Sequence, residues 1–419
     1  MSQAKSKAKK QRGDCVVTLC IEEEDYARFD KDPVYARQLI DQALYSMPEL
    51  FPAKALTGYK LNGHTARSKK TGLRLRLLQT GGVTYRLYPH FLASYMRGRT
   101  EELSDALFLC RWAPYWAVTQ VFGRNDMYWY RCHNSLAKKS LVGTVVQAGT
   151  DIPVDLVADE HHSKSLGEKA YVATTVGGGC FLGAQVTESC DEKGLAEAYG
   201  AFREEAVLLQ PGYRPESVNL DGWQPGNNAW RGLFEGVTII ACFLHGFIKV
   251  RDRAVKKMRD SFEQASDRIW ACYRSGCKRS FAQKIRRLRE WAEENMAQGP
   301  MKENLLKLCG KSREWQRFYD HPNAYRTSNM LDRLMRFMDR YLAKNQTFHG
   351  KNKEVASDTI RAFCLIYNFS PSCPDHRRKG EFNSPVARLN KHQYHQNWLA
   401  NLFLAGSMNG KRTKPTNPI

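Results

Sequence analysis

Residues 154–187 read VDLVADEHHSKSLGEKAYVATTVGGGCFLGAQVT. Three apolar runs stand out, at 154–158, 170–176 and 180–187, the last two separated by Gly177-Gly178-Gly179. Short runs rich in Val, Thr and Phe and bounded by glycine read as strands joined by tight turns. Working outward, a helix is expected over 191–208. After Pro211-Gly212 and Pro215, a fourth strand falls on SVNL, a helix lies near 227–234, and GVTIIACFLH (236–245) reads as a buried strand whose end can begin the next helix. Three strands, a helix, a strand, a helix and a strand make an α/β domain with a mixed sheet.

Upstream the pattern changes. Residues 1–13 are basic and polar, free to touch phosphates. Residues 33–47 carry apolar groups at helical spacing, and TGLRLRLLQTGGVTYRLYPHF alternates basic and apolar residues around Gly81-Gly82, as a hairpin with one basic face does. That face either touches DNA or is simply solvated. Helices are expected over 101–113 and from Tyr115, with Gly123 permitting a turn and Asn125 or Asp126 capping a second helix that contains Trp129, Tyr130 and Arg131. The spacing is that of a helix-turn-helix, although helix pairs of this kind occur in any helical domain.

Downstream, residues 246–325 are long, charged and helical. Between Lys249 and Arg289 there are fourteen Lys or Arg against four Asp or Glu, with Trp270, Phe281 and Leu288 as internal anchors. Such an excess predicts a helical insertion facing a polyanion. After YRTSN comes a helix whose apolar stripe is Leu331, Leu334, Met335, Met338 and Leu342, flanked by Asp332, Arg336 and Asp339. A further apolar helix spans Thr359 to Tyr367. The chain then passes through a proline-rich basic loop to a helix capped by Ser384 before Pro385, and a tail carrying Lys411, Arg412 and Lys414.

The whole chain has 419 residues and a formal net charge of +21. Its length allows two or three domains, and its charge calls for a polyanionic partner, nucleic acid before an anionic membrane. No run of 18 apolar residues exists, and the start, MSQAKSKAKKQRGD, has no apolar core like that of a signal peptide. The twelve cysteines are scattered, which suits reduced thiols in the cytoplasm, where the protein is expected in association with DNA.

Two acids stand out in this basic chain. Asp159 is expected to close the first strand and Asp221 the fourth, at the carboxyl ends where crevices form in α/β sheets. Two carboxylates brought together repel each other, and a hard divalent cation such as Mg²⁺, with Mn²⁺ as a substitute, relieves the repulsion. Asp332 can supply a third ligand from a helix packed on the sheet. Such a centre activates a water or a 3′-hydroxyl and stabilises the leaving oxygen at a phosphodiester. An Asp at a strand end also commonly serves only as a turn residue or cap.

The stretches LVADEHHSK, YVATTVGGGCFLGAQ, SVNLDGWQPGNNAW, IIACFLHGFIKVRDR, YRTSNMLDRLMRFMDR and SPVARLNKHQYHQNWLANLFLAGS together resemble DDE-type transposases of bacterial insertion sequences or similar mobile elements. The resemblance runs over roughly residues 85–408. It implies an RNase H-like catalytic domain with a helical insertion, preceded by a mostly helical DNA-binding region. The implied catalytic and metal-binding acids are Asp159, Asp221 and Asp332, separated by 62 and 111 residues. The usual third acid is Glu, one methylene longer, so Asp339 and Glu354 stand as alternatives to Asp332. The implied partners are the double-stranded DNA of element ends and target, bound by a homo-oligomer, with no membrane.

The implied organisation is a basic tail with an N-terminal helix (1–57), a small β-containing segment (58–95) and a helix-turn-helix-like region (96–148). The catalytic domain follows (149–370) with its insertion at about 246–325, then a basic loop, C-terminal helix and tail (371–419). Arg124, Arg131, His161, Arg333 and Arg336 are candidate DNA contacts, with His162 as a further neighbour. Glu160 is expected to point away from Asp159. Cys242-x-x-His245 has the spacing of half a zinc site but lacks two ligands, and packing beside the active site is the plainer expectation. Asn329 is expected to orient the Asp332 helix. Trp223 and Trp230 either stack on a flipped base or pack in the core. The implied activity is Mg²⁺-dependent cleavage at element ends and 3′-hydroxyl strand transfer. The rivals are a nuclease of the same fold without strand transfer and an inactive, transposase-derived DNA-binding protein.

Overall fold

The computed structural model describes residues 15–96, 98–165, 168–345, 353–376, 380 and 382–411. The basic N-terminal residues 1–13 and most of the basic C-terminal tail therefore lie outside the described residues. The chain is a mixed α/β protein with two sheets.

The first sheet contains β1 (Val16–Leu19), β2 (Lys60–His64), β3 (Arg76–Thr80) and β4 (Val83–Pro89), in the order β1-β4-β3-β2. The hairpin at Gly81-Gly82 forms as expected, with Thr80 paired to Val83. The sequence did not announce β1, which pairs in parallel with β4, Leu19 opposite Pro89. Helices α1 (Glu23–Lys31) and α2 (Pro33–Ser46) pack on this sheet through Phe29, Ala36 and Ile40. Residues 15–57 and 58–95 thus share one hydrophobic core.

Helices α3 (Thr100–Leu109), α4 (Tyr115–Phe122), α5 (Asp126–Ser135) and α6 (Leu141–Val145) lead to the second sheet. Gly123 ends α4 at φ +67°, and the Asn125 side chain accepts from the Tyr128 N–H at 2.8 Å, capping α5. The indole N–H of Trp129 donates to the Gly123 carbonyl at 2.9 Å, which fixes the angle between the two helices from inside the turn.

The second sheet holds β5 (Asp155–Ser165), β6 (Glu168–Gly177), β7 (Cys180–Thr187), β8 (Ser217–Leu220) and β9 (Thr238–Ala241), in the order β7-β6-β5-β8-β9. The first three strands form an antiparallel meander, whereas β8 and β9 run parallel to β5. Helix α7 (Glu192–Leu209) crosses from β7 to β8, and α8 (Gln224–Leu233) from β8 to β9. Gly183 on β7 lets α7 approach closely, since a side chain there would sit 2.8 Å from Cβ of Phe202. Tyr199, Phe202, Trp230 and Phe234 fill the space between these helices and the sheet. Each such burial contributes about 2–3 kcal/mol.

β5 does not end at Asp159, as the sequence suggested. It continues six residues to Ser165, because the polar run EHHSKS keeps its backbone paired with β6, from Glu160 opposite Ala173 to Ser165 opposite Glu168. Polarity alone read as the end of a strand. The hydrogen-bonding partner that overrides it is a strand still to come in the sequence.

The insertion forms α9 (Phe243–Arg251), α10 (Arg259–Tyr273), α11 (Lys278–Asn295), α12 (Pro300–Gly310) and α13 (Ser312–Gln316) around its own core of Ile269, Phe281, Ile285, Leu305 and Trp315. Many of its cations are paired on the surface: Arg259 with Glu263, Arg286 with Glu290, Arg289 with Glu293 and Lys278 with Asp320. The local excess of positive charge is smaller than the 249–289 window implied, because Glu290 and Glu293 lie just beyond it and Asp320 folds back onto Lys278.

Helices α14 (Asn329–Asn345), α15 (Lys353–Phe369), α16 (Pro385–Asn390) and α17 (Trp398–Ala405) complete the chain. α14 packs along β5, and α15 lies on β7. Among the described residues no helix is long and apolar enough to cross a membrane. All twelve cysteines are free.

Candidate active site

The parallel pairing of β5 with β8 sets the geometry. Val157 and Asn219 are the last paired residues of the two strands, and Asp159 and Asp221 each follow two residues further on. Asp221 follows the last residue of β8. Gly222 then turns the chain at φ +90°, a backbone that favours glycine, and brings the Trp223 N–H back to the Asp221 carboxylate at 2.7 Å. Asp159 instead lies within its strand, where its carboxylate accepts the N–H of Glu160 at 2.9 Å.

The segment before α14 is fastened across the carboxyl ends of β8 and β9. The buried Asn219 amide donates to the Tyr325 carbonyl at 2.8 Å, the Phe243 N–H to the Arg326 carbonyl at 3.1 Å, and the Ser328 N–H to the Cys242 sulfur at 3.2 Å. The Arg326 guanidinium reaches the other way, over the rings of Tyr273, Phe318 and Tyr319, and ties the segment to the insertion. These contacts fasten the start of α14 to β8 and β9, and α14 itself packs along β5, the strand of Asp159. At the start of α14 the Ser328 hydroxyl donates to the Asp332 carboxylate at 3.1 Å.

Asp159 feels both other acids. Burial is the main force pushing its carboxyl above the ordinary range, and Asp221 and Asp332 add to it, while the Glu160 N–H and His245 oppose. His245 is held up to about 9, chiefly by the Cys242 side chain beside it, against burial and with help from Asp159 and Asp221. Its Nδ1 is buried without a hydrogen-bond partner. An imidazolium beside these carboxylates offsets part of their mutual repulsion. For Cys242, burial pushes the thiol up, but His245 and Ser328 outweigh it and the net shift is downward. Cys242 and His245 thus pack beside the acids, as expected from their position.

The three carboxylates are neighbours but do not collapse into one tight cluster. Among the described residues, the set of three or more donors lying within 4.8 Å of one another is Cys20, Glu22 and His90, far away in the sequence. The physical reason lies in the bonds just described: Asp221 is held by its own turn and Asp332 by Ser328, and three like charges repel. The donor set consists of oxygens alone, with a repulsion that His245 offsets only in part, which suits a hard divalent cation.

The other candidates separate clearly. Glu160 points to the opposite face of the sheet, as expected. It is buried and accepts the Tyr199 hydroxyl at 2.7 Å, and burial pushes its carboxyl up to about 7. His161, two residues beyond Asp159 on the same face, lies 3.3 Å from Asp339, which engages that alternative third acid. Burial lowers His161 despite the pull of Asp339. Glu354 is exposed at the start of α15. Asp155 sits at the other end of the strand, bonded to Ser217.

His162 is exposed, with its ring edge-on to Tyr171. Arg131, Arg333 and Arg336 are exposed on α5 and α14, while Arg124 holds a left-handed turn at φ +64° with its guanidinium over Tyr128. Trp230 is fully buried in the core, whereas Trp223 is 37 % exposed. Asn329 is exposed, and the residue that bonds Asp332 is its neighbour Ser328. The spacing of Ser328 and Asp332, four residues apart at a helix start, was the one signal that pointed to that bond. Nothing in the sequence pointed to Tyr199 as the partner of Glu160.

Comparison with protein-family models and with curated proteins gave no match to this chain.

Proposed function

We propose that the protein is a DDE-type transposase with an RNase H-like catalytic domain, cleaving DNA at element ends and joining the freed 3′-hydroxyl to target DNA. The observation that carries this reading is the parallel register of β5 and β8, in which Asp159 and Asp221 each follow two residues after the paired Val157 and Asn219. The approach of Asp332 from α14 supports it, through its influence on Asp159. So does the sheet order: a three-stranded antiparallel meander whose first strand is followed outward by two parallel strands is the arrangement an RNase H-like domain requires.

Asp159, Asp221 and Asp332 would hold Mg²⁺, or Mn²⁺ in its place. When bound, the metal would supply Lewis-acid stabilisation of the phosphodiester and of the attacking and leaving oxygens. Asp159, within β5, fixes the centre to the sheet. Asp221 and Asp332 approach it from a turn and a helix start. His245 contributes a positive charge next to them, suited to a phosphate oxygen. Arg333 and Arg336 on α14, and Arg124 and Arg131 of the α4–α5 region, would contact the DNA backbone, and their exposure supports this.

The test is a purified-protein assay on a labelled duplex carrying the element's own ends, with Mg²⁺ or Mn²⁺. Joined products are the result expected of a transposase. Nicks without joining would make it a nuclease, and binding without cleavage an inactive DNA-binding protein.

A further inference from the structure

The parallel register of β1 and β4 has an effect beyond the sheet. Leu19 pairs with Pro89, and the His90 N–H donates to the Leu19 carbonyl at 2.8 Å. The next residues on the two strands, Cys20 and His90, are therefore neighbours, and Glu22, two residues on in extended chain, returns to the same side. One donor atom from each of Cys20, Glu22 and His90 lies within 4.8 Å of the others. Cys20 and Glu22 are exposed, which leaves an entry path, and His90 is 5 % exposed and fixed in the core. The His395 ring, from the loop between α16 and α17, lies against His90 with centroids 4.4 Å apart.

We propose that Cys20, Glu22 and His90 bind one borderline divalent ion of the zinc class, with the His395 ring beside His90. Thiolate, carboxylate and imidazole together select such an ion over Mg²⁺, which takes oxygen ligands. The site is independent of the acids on β5, β8 and α14. Bound metal ties the chain after β1 to the chain after β4, and so closes the end of the N-terminal sheet. It also displaces one hydrogen bond. The Ile21 N–H donates to Nδ1 of His90 at 3.2 Å. Coordination through Nδ1 takes that lone pair, and coordination through Nε2 moves the ring hydrogen onto Nδ1, so either mode releases the Ile21 N–H.

Co²⁺ titration of the full chain tests this, since a thiolate ligand gives a sulfur-to-cobalt charge-transfer band that oxygen ligands do not. One equivalent should produce the band, Zn²⁺ should abolish it by displacement, and Cys20→Ser should lack it while Cys242→Ser retains it. Zn²⁺ should raise the Tm of the wild type but not of Cys20→Ser, whose exposed position leaves the metal-free fold intact. With the backbone amides of isoleucine labelled, the Ile21 resonance should move on metal binding. Absence of the band, or a band that survives Cys20→Ser, overturns the proposal, as does an equal Tm rise in both proteins.

Discussion

The hydroxyl of Ser328 lies between the sulfur of Cys242 and the carboxylate of Asp332, accepting from the thiol at 3.3 Å and donating to Asp332 at 3.1 Å. The end of β9 is thereby coupled to the start of α14 by one residue. Ser328→Ala leaves the Asp332 side chain without that donor and frees its rotamer. Loss of an outer hydrogen bond to a metal ligand typically costs about 10- to 100-fold in affinity or activity. Ser328→Ala should therefore need more Mg²⁺ for half-maximal cleavage, and Ser328→Thr, which restores a hydroxyl, should recover most of the loss. Metal titrations of the cleavage rate measure both.

Glu160 gives a stability profile with a definite sign. Burial raises its carboxyl from 4.5 to about 7 in the folded protein. Between these values the folded state holds the proton more tightly than the unfolded chain, so stability falls as pH rises from 4.5 through 7. The difference amounts to about 3 kcal/mol. Glu160→Gln keeps an acceptor for the Tyr199 hydroxyl without the buried charge. In denaturant unfolding without divalent ions, it should match the wild type near pH 4.5 and exceed it in stability at pH 8.

Lys139 has the opposite slope. It is buried, its ammonium donates to the Gly406 carbonyl at 2.9 Å, and burial lowers it from 10.5 to about 7. The unfolded chain holds the extra proton between pH 7 and 10.5, so the penalty of burying the charge is complete below 7 and fades as pH rises. Its full size is up to about 5 kcal/mol. Lys139→Met should flatten the rise in stability between pH 7 and 10, seen as a smaller shift in Tm over that range.

The α4–α5 pair should contribute to DNA affinity without carrying the chemistry. Arg131 is exposed on α5. If it meets a phosphate, Arg131→Ala should weaken duplex binding and reduce the slope of log K against log salt by about 1. Binding titrations at several salt concentrations distinguish this from a loss of fold, which would leave no slope.

How much of this was legible in the sequence varies by element. The strands at 180–187 and 217–220 agree with the expectation residue for residue, because their apolar runs end at glycine, proline or acid boundaries. β1 was hidden because four residues, VVTL, carry no period of their own, and they become a strand only by pairing with β4 some seventy residues later. The far end of β5 was hidden for the reason that β6 supplies its hydrogen bonds. In the site, Asp159 and Asp221 could be singled out from their positions after apolar runs. Their alignment across β5 and β8, the Ser328 bond and the Glu160–Tyr199 pair depend on register and packing between distant segments, which periodicity does not encode.

The central claim is that Asp159, Asp221 and Asp332 form one metal-dependent centre that cuts DNA, and Asp332 is its most exposed point because Glu is the usual residue there. The most direct measurement compares Mg²⁺-dependent cleavage of a labelled duplex by the wild type and by Asp332→Ala, with DNA binding followed on the same samples. The account predicts that cleavage disappears while binding is retained, and that Asp332→Glu keeps activity. Wild-type cleavage by Asp332→Ala would contradict it and move the third acid to Asp339 or Glu354.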